Sequence, residues 1–515
     1  MEERRLHSAD ERCPDSSIIG LDRKALDRAR TSRDPRFDGR FFIAVTSTGI
    51  YCRSICPARS PKKANVRYYA TAAAAAEAGF RPCLRCRPEA APGTPAWMGT
   101  STVVRRALRL IDDGALDDGG VEALASRVGI GARQLHRLFV QHVGAAPITV
   151  AQTRRLHFAK RLLDETALPV TAIALAAGFG SLRRFNDAFR KTYRRAPRDL
   201  RRQRQVGSAQ PGNEVVLRFA YRPPYDWGVM ADFLAARAVP GVERVDVRGY
   251  ARTVALDGGH ALLCVRPVNG VDALELRASG APPAALFHLS STARRVFDLA
   301  SDPARMQLAL TQDALLAPLV KRRPGMRIPG AWDSFECAVR AVIDLHVRRA
   351  TARTLLGRLI ARAGTPIAGG GEGLTHLFPS PATLATSRLE GLGLDAVQVS
   401  ALRALARAAS EGAFDVDAPV DQVVATLAAL PGAGGRVAED VALHALGDPD
   451  AFPAGDVVLR RMASLDGTQL TARQLEKRAE AWRPWRGYAA LHLWRAEIDA
   501  ARALRGTGTV PSTCL

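Results

Sequence analysis

The chain lacks any apolar run approaching the roughly 18 to 20 residues of a membrane span, so no transmembrane helix is expected. Its opening, MEERRLHSAD, is too charged for a signal peptide, and a reducing, cytoplasmic setting follows as the expectation. Lysine is scarce, 7 residues against 66 arginines, a skew that suggests a GC-rich coding bias. Cysteine is sparse as well. Of the 8, Cys13, Cys264, Cys337 and Cys514 are scattered, which argues against a disulfide framework. What remains is an ordinary globular composition, 47% hydrophobic and 24% charged. A length of 515 residues exceeds a single core and suggests about three to four domains.

The formal charge of +22 is unevenly placed. Residues 1–205 hold 38 Lys and Arg against 20 Asp and Glu, whereas residues 206–515 hold 35 against 31. Ala151 to Gln205 alone carries 14 basic and 4 acidic residues, the kind of local excess expected of a phosphate-binding surface. A bias toward Arg over Lys does not account for an excess of bases over acids.

The other four cysteines are grouped. Cys52 and Cys56 form a C-x3-C pair, Cys83 and Cys86 a C-x2-C pair, and 26 residues separate the pairs. Two close pairs joined by one loop suit a tetrahedral thiolate site, with zinc as the expected metal and sulfurs about 2.3 Å from it. On spacing alone this fits a structural zinc ribbon. The apolar run Asp34 to Tyr51, ending in a Thr-Ser-Thr-Gly turn, is expected to be a strand that delivers Cys52. Ala72 to Ala78 reads as a helix stopped by Gly79.

With TSTGIYC at Thr46 to Cys52, NVRYY at Asn65 to Tyr69 and GFRPCLRCRP at Gly79 to Pro88, the stretch resembles the metal-binding, methyl-accepting N-terminal domain of the Ada alkylation-response proteins. The resemblance implies that Cys52 takes a methyl group from a methylated DNA phosphotriester while Cys52, Cys56, Cys83 and Cys86 hold Zn2+. Zinc keeps a thiolate available at neutral pH without a neighbouring base.

Two helix-turn-helix patterns follow the Pro/Gly linker at Ala91 to Trp97. Val121 to Val128 and Ala132 to His142 flank the first turn, while Val170 to Phe179 and Ser181 to Tyr193 flank the second. A helix over Thr149 to Glu165 connects them. Two units so joined can place recognition helices in successive major-groove segments, about 34 Å apart. AGFGSLRRFNDAFRKTYRRAPRDLR, Ala177 to Arg201, resembles the DNA-binding domain of AraC-type regulators. The resemblance implies sequence-specific DNA binding, with Arg133, Gln134, Arg183, Arg184 and Asn186 as candidate contacts. Phe185, Phe189 and Leu138 read as core.

After a second linker, Val206 to Asn213, the alternating segments of Glu214 to Ser290 read as a small α+β domain with an antiparallel sheet. From Ser291 onward the pattern is helical. Leu430 to Arg461 contains Leu-Pro-Gly-x-Gly between two amphipathic helices, a hairpin whose Gly432 and Gly434 let backbone amides approach phosphate. About 20 residues on stands Asp456, which also suits a helix N-cap before VVLRR.

Here Glu214 to about Ala501 resembles the AlkA-type alkylbase glycosylases of the helix-hairpin-helix class. RPPYDW, RIPGAWDSFECAVRAVI, DAFPAGDVVLRR and WRPWRGYAALHLW carry the likeness. It implies Asp456 as the carboxylate that stabilises an oxocarbenium-like sugar, and Tyr225, Trp227 and Trp494 as aromatic walls for a cationic base. Trp482 and Trp485 read as packing. Two departures stand out. Arg436 occupies a position that is Lys in glycosylase-lyases and commonly Trp in AlkA relatives. Asp344, Leu345 and His346 stand where a Gly-Gln pair is common. Arginine cannot form a Schiff base, so a monofunctional enzyme is expected.

The expected fold class is multidomain α+β. It comprises a zinc domain at 1–92, an all-α tandem helix-turn-helix domain at 97–205, a small α+β sheet domain at 214–290 and an all-α helix-hairpin-helix glycosylase domain at 291–515. Expected partners are double-stranded DNA, as damaged sites and as a promoter operator, with RNA polymerase a further candidate, no membrane, and a nucleoid-associated location. Excision of alkylated bases of the 3-methyladenine type would sit beside a methyl-sensing activator. The rival reading is a transcription factor with a structural zinc and a glycosylase fold that only grips DNA. The Pro-Cys-His-Arg motif of alkylguanine transferases is absent, and repair of the guanine oxygen is not expected.

Overall fold

A computed structural model of the chain describes residues 21–92, 102–112, 114–117, 119–202, 214–345, 347–371, 373–412, 420–464 and 468–506. Cys13, His346 and Cys514 lie outside the described residues. The chain divides into two compact units, Met1–Val206 and Gly207–Leu515. Among the described residues no helix is long and apolar enough to cross a membrane.

Among the described residues of the first unit the first helix is α1 (Arg23–Ser32), capped by the Asp22 carboxylate, which accepts from Ala25 N at 2.7 Å. Strands β1 (Phe42–Val45), β2 (Ile50–Arg53), β3 (Val66–Tyr69) and β4 (Arg81–Pro82) form a sheet in the order β3-β1-β2-β4. The expected strand does not itself carry Cys52. The apolar run makes β1, the Thr-Ser-Thr-Gly turn reverses the chain at Gly49 (φ +62°), and Cys52 rides on β2, opposite Ile43. Phe41 and Ile43 join Leu26 and Tyr68 in one small core, while Phe42 and Tyr51 pack edge to face, 5.9 Å apart, in another. Helix α2 (Ala72–Glu77) is capped by Thr71, whose hydroxyl also donates to Val143 O at 2.9 Å.

The helical part of this unit comprises α3 (Thr102–Asp112), α4 (Val121–Arg127), α5 (Ala132–Val143), α6 (Pro147–Glu165), α7 (Val170–Ala176), α8 (Leu182–Tyr193) and α9 (Pro197–Arg202). Both helix-turn-helix patterns are present as expected. Leu124, Leu135 and Phe139 bury the first, and Ile173, Phe185 and Phe189 are fully buried in the second.

The second unit opens with β5 (Glu214–Ala220), α10 (Trp227–Arg237), β6 (Glu243–Asp246), β7 (Gly249–Leu256), β8 (Gly259–Pro267) and β9 (Ala273–Ser279). The five strands form an antiparallel sheet in the order β5-β9-β8-β7-β6. Helices α11 (Leu286–Val296), α12 (Pro303–Leu310), α13 (Leu316–Arg322), α14 (Ser334–Asp344) and α15 (Arg349–Ala363) follow. The helical region thus starts before Ser291: β9 ends at Ser279, and Pro282 and Pro283 lead through a tight turn into α11. A two-stranded ribbon, β10 (Thr365–Pro366) with β11 (His376–Leu377), interrupts the helices, its reversal eased by Gly369 and Gly371 at positive φ.

Then come α16 (Pro381–Thr386), α17 (Ala396–Ser410), α18 (Val420–Ala429), α19 (Gly434–Asp440), α20 (Val457–Met462), α21 (Ala472–Ala479) and α22 (Arg486–Gly506). Helix α19 widens into a π-helical turn at Val441–Ala445. A large apolar core joins α14, α15, α17, α18 and α19 through residues such as Val339, Leu359, Leu405, Leu427 and Val437.

Candidate functional sites

In the first unit the backbone brings the two cysteine pairs together. β2 and β4 run parallel, and Cys83 N donates to Tyr51 O at 3.0 Å, so the second pair starts beside the first. The sulfurs of Cys52, Cys56, Cys83 and Cys86 all lie within 4.8 Å of one another. A tetrahedral zinc at about 2.3 Å from each sulfur needs sulfurs about 3.8 Å apart, so the donor set and its span fit this metal. Backbone groups support the cage: Arg53 N donates to Cys86 Sγ at 3.4 Å, a contact that favours the thiolate. The Arg53 guanidinium is buried, pairs with Asp38, and donates to Cys86 O at 3.2 Å. Cys83 and Cys86 are buried, whereas Cys52 and Cys56 are partly exposed.

The cage is tied to the helical part. Tyr51, next to Cys52, shares a hydrogen bond of 2.8 Å with His157 Nε2 on α6. Arg161 of the same helix donates to Glu89 O at 2.8 Å, and Arg87 pairs with Asp164 at 2.9 Å. Burial pulls His157 down to about 4, so the ring is neutral at pH 7. Sequence reasoning missed this coupling; an apolar-helix histidine 106 residues from its partner leaves no local signal.

Arg133 and Gln134 on α5 and Arg183 and Arg184 on α8 are exposed, and Asn186 is partly exposed. They stand at the starts of the second helices of the two helix-turn-helix elements. Ser181 caps α8 by accepting from Arg184 N at 3.2 Å. Leu138 is partly buried in the first helical core, in line with its packing role.

In the second unit the hairpin closes between α18 and α19. Gly432 has φ +75°, and a Cβ there would meet Ala401 Cβ at 2.9 Å, so both backbone angle and packing on α17 require glycine. Gly434 has φ +67° and open space around it.

Asp456 caps α20, accepting from Leu459 N at 2.9 Å. The same Oδ1 accepts from Trp494 Nε1 at 3.2 Å, and Oδ2 accepts from Arg436 Nη2 at 3.1 Å. Asp456 is only 6% exposed, while the Arg436 side chain is 61% exposed. The capping role and a fixed, oriented carboxylate thus coexist in one residue. Of the three aromatic candidates Trp494 hydrogen-bonds Asp456. Tyr225 and Trp227 instead meet at Phe297: the Tyr225 hydroxyl donates to its carbonyl at 2.9 Å, and Trp227 stacks on its ring at 6.0 Å. Trp482 and Trp485 are buried, as expected of packing residues. Asp344 ends α14, and burial raises its carboxyl above the usual range.

A four-cysteine cage on a basic tandem helix-turn-helix unit, linked in one chain to a hairpin with a buried carboxylate, defines a DNA alkylation-response protein. Comparison with known proteins agrees. Residues 25–89 match the metal binding domain of Ada, residues 124–203 a helix-turn-helix domain, and residues 216–333 the AlkA N-terminal domain. The chain is 41% identical over 473 residues to a probable bifunctional transcriptional activator/DNA repair enzyme AlkA of Mycobacterium tuberculosis, covering 91% of this chain and 95% of that protein. It is 35% identical over 283 residues to DNA-3-methyladenine glycosylase 2 of Escherichia coli, covering 54% of this chain and 96% of that protein. It is also 41% identical over 150 residues to the Escherichia coli bifunctional transcriptional activator/DNA repair enzyme Ada, covering 29% of this chain and 40% of that protein. The chain belongs to the family of bifunctional transcriptional activator/DNA repair enzymes AlkA, and its metal is Zn2+.

Proposed function

We propose that this protein hydrolyses the N-glycosidic bond of alkylated bases of the 3-methyladenine type and couples that repair to a zinc-held methyl acceptor that regulates transcription. The observation that carries the excision reading is the Asp456 carboxylate, buried and fixed by Trp494, Arg436 and the α20 backbone. As the base leaves, positive charge develops at C1′, and a fixed carboxylate stabilises it and directs the attacking water. A cationic alkylated purine is already a good leaving group, so no strong general acid is required. Tyr225, Trp227 and Trp494 serve as aromatic surfaces around the extruded base. Gly432 and Gly434 present hairpin amides to a phosphate.

Cys52 is the methyl acceptor: its sulfur forms a bond to the methyl carbon, the carbon–oxygen bond of the phosphotriester breaks, and the phosphodiester anion leaves. Cys52, Cys56, Cys83 and Cys86 hold the zinc, which keeps the attacking sulfur deprotonated. Partial exposure of Cys52 supports its reach to DNA. Methylation lowers the negative charge of the cage, from a formal −2 to about −1, and weakens its repulsion from DNA phosphate. Arg133, Gln134, Arg183, Arg184 and Asn186 then contact an operator, with RNA polymerase as a further partner and the nucleoid as the place of action.

The rival in which the second unit only grips DNA draws on Arg436, whose charge offsets that of Asp456. An abasic-site assay on methylated duplex DNA separates the two. Excision that disappears in Asp456→Asn supports the enzyme; no excision above that variant refutes it.

A further inference from the structure

The two helix-turn-helix elements of the first unit repeat one pattern. A shift of 50 residues lays α5 (Ala132–Val143) on α8 (Leu182–Tyr193), both of 12 residues. The buried positions coincide: Leu135, Phe139 and Val143 in α5, and Phe185, Phe189 and Tyr193 in α8. Each helix ends on a residue at positive φ, Gly144 or Arg194, and each is followed by a helix that starts at a proline, Pro147 or Pro197. Residues 50 apart therefore occupy the same place in the two elements.

At 3.6 residues per turn, a buried stripe through 135 and 139 leaves 133 and 137 on the opposite face, and in α8 the same holds for 183 and 187. Arg133, Arg137, Arg183 and Asp187 are all exposed. They stand in the first two turns of their helices, the part that meets base edges when such a helix enters the major groove. At the first of the two positions the elements agree, with Arg133 and Arg183. One turn later they carry opposite charge, with Arg137 and Asp187.

Arg183 and Lys191 lie one turn to either side of Asp187, at the spacing at which helical ion pairs form. Among the described residues Asp187 nevertheless makes no ion pair and accepts no hydrogen bond on its side chain, and Arg137 likewise has no ion pair. A face built only to hold phosphate gains nothing from a carboxylate, because a negative charge there repels the DNA backbone. What a carboxylate supplies is an acceptor, which suits a base edge that donates.

We infer that Arg137 and Asp187 are specificity-determining residues that read opposite chemistry in the major groove, Arg137 donating to O6 and N7 of a guanine and Asp187 accepting from the N4 amino group of a cytosine. Turned toward guanine or thymine, Asp187 meets acceptor oxygens, and that repulsion rejects the wrong base. The segments under α5 and α8 thus differ at the equivalent position, so the operator is bound in one orientation only. This inference rests on the reading of the first unit as an operator binder and says what the operator must present.

The test is selection from a randomised double-stranded DNA library by the zinc-loaded full chain, before and after exposure to methylated DNA, followed by binding titrations on the enriched duplex. The unaltered chain should enrich two short segments about one helical turn apart. Arg137→Ala should relax a guanine preference in one segment and Asp187→Ala a cytosine preference in the other, each by about 10- to 100-fold. On duplex of unrelated sequence the two variants separate by sign: Arg137→Ala should bind more weakly and Asp187→Ala more tightly, because only the latter removes a negative charge. Asp187→Arg should turn the preferred cytosine into guanine, a change that misfolding does not produce. An enriched sequence unchanged in both Asp187 variants overturns the inference, as does an Arg137→Ala variant that keeps every preference intact. If the unaltered chain binds DNA and enriches no sequence, the operator reading itself falls and this inference with it; enrichment that ignores Asp187 refutes this inference alone.

Discussion

The Tyr51 hydroxyl and His157 Nε2 lie 2.8 Å apart and join β2, one residue from Cys52, to the helix between the two helix-turn-helix elements. A change at the sulfur cage thus has a short covalent and hydrogen-bonded route to α6. Tyr51 is 1% exposed, and its ring packs against Phe42, so the hydroxyl can be removed without emptying the site.

Tyr51→Phe is expected to destabilise the first unit by about 1–2 kcal/mol, because His157 Nε2 loses a buried partner. Zinc content should stay at that of the unaltered chain. Denaturant unfolding together with metal analysis checks both; unaltered stability would mean that His157 finds another partner.

The acid sensitivity of the first unit should follow His157. Its folded pKa, about 4, is depressed below the ordinary value of 6.5 by burial. Stability from the neutral ring is therefore fully present above about pH 6.5 and is lost as pH falls through about 4. The limit set by this shift is about 3 kcal/mol. His157→Gln should flatten the melting temperature of the first unit across that window, and an unchanged slope would remove His157 as the cause.

Asp456→Asn should lower base excision by about 100-fold or more, since the cap to Leu459 N survives while the negative charge does not. Arg436→Ala should leave folding stability within about 1 kcal/mol, as expected of an exposed ion pair. Freed of that cation, the carboxylate stabilises developing positive charge at least as well, so excision per bound complex should hold or rise. Single-turnover assays separate this from weaker DNA binding, and a collapse of the chemical step in Arg436→Ala would mark the arginine itself as necessary.

Removing zinc with a chelator, or substituting Cys83→Ser, should melt the sheet that carries Cys52 and abolish methyl transfer together. Cys52→Ala should also lose transfer. Mass spectrometry after exposure to methylated DNA should show a single added methyl on Cys52, and transfer that persists in Cys52→Ala would assign the acceptor elsewhere.

Arg183→Ala and Arg184→Ala should each weaken operator binding. If the contact is to phosphate, the salt slope falls by about one and sequence preference is retained; if it is to a base edge, preference at one position relaxes. Binding titrations at several salt concentrations distinguish these outcomes.

Much of the molecule was legible in the sequence because its signals are local. Two cysteine pairs of short spacing place four sulfurs within 4.8 Å once their strands run side by side. The turn glycines mark both helix-turn-helix elements and the hairpin, and Asp456 announces itself as a cap three residues before the amide that it accepts from. The strand before Cys52 shows the limit of such signals: the Thr-Ser-Thr-Gly turn is visible in the sequence, but strand pairing puts Cys52 on its far side. The sequence by itself determined which chemistry the chain could hold.

Tertiary structure decided which groups act together. Trp494 reaches Asp456 across 38 residues, Tyr51 meets His157 across 106, and Pro329 fixes the His444 tautomer across 115. Helical and strand periodicity specify which face a residue occupies, but not the residue of another element that the face will meet. That choice belongs to packing, where apolar cores bring distant elements together and pair the polar atoms buried with them.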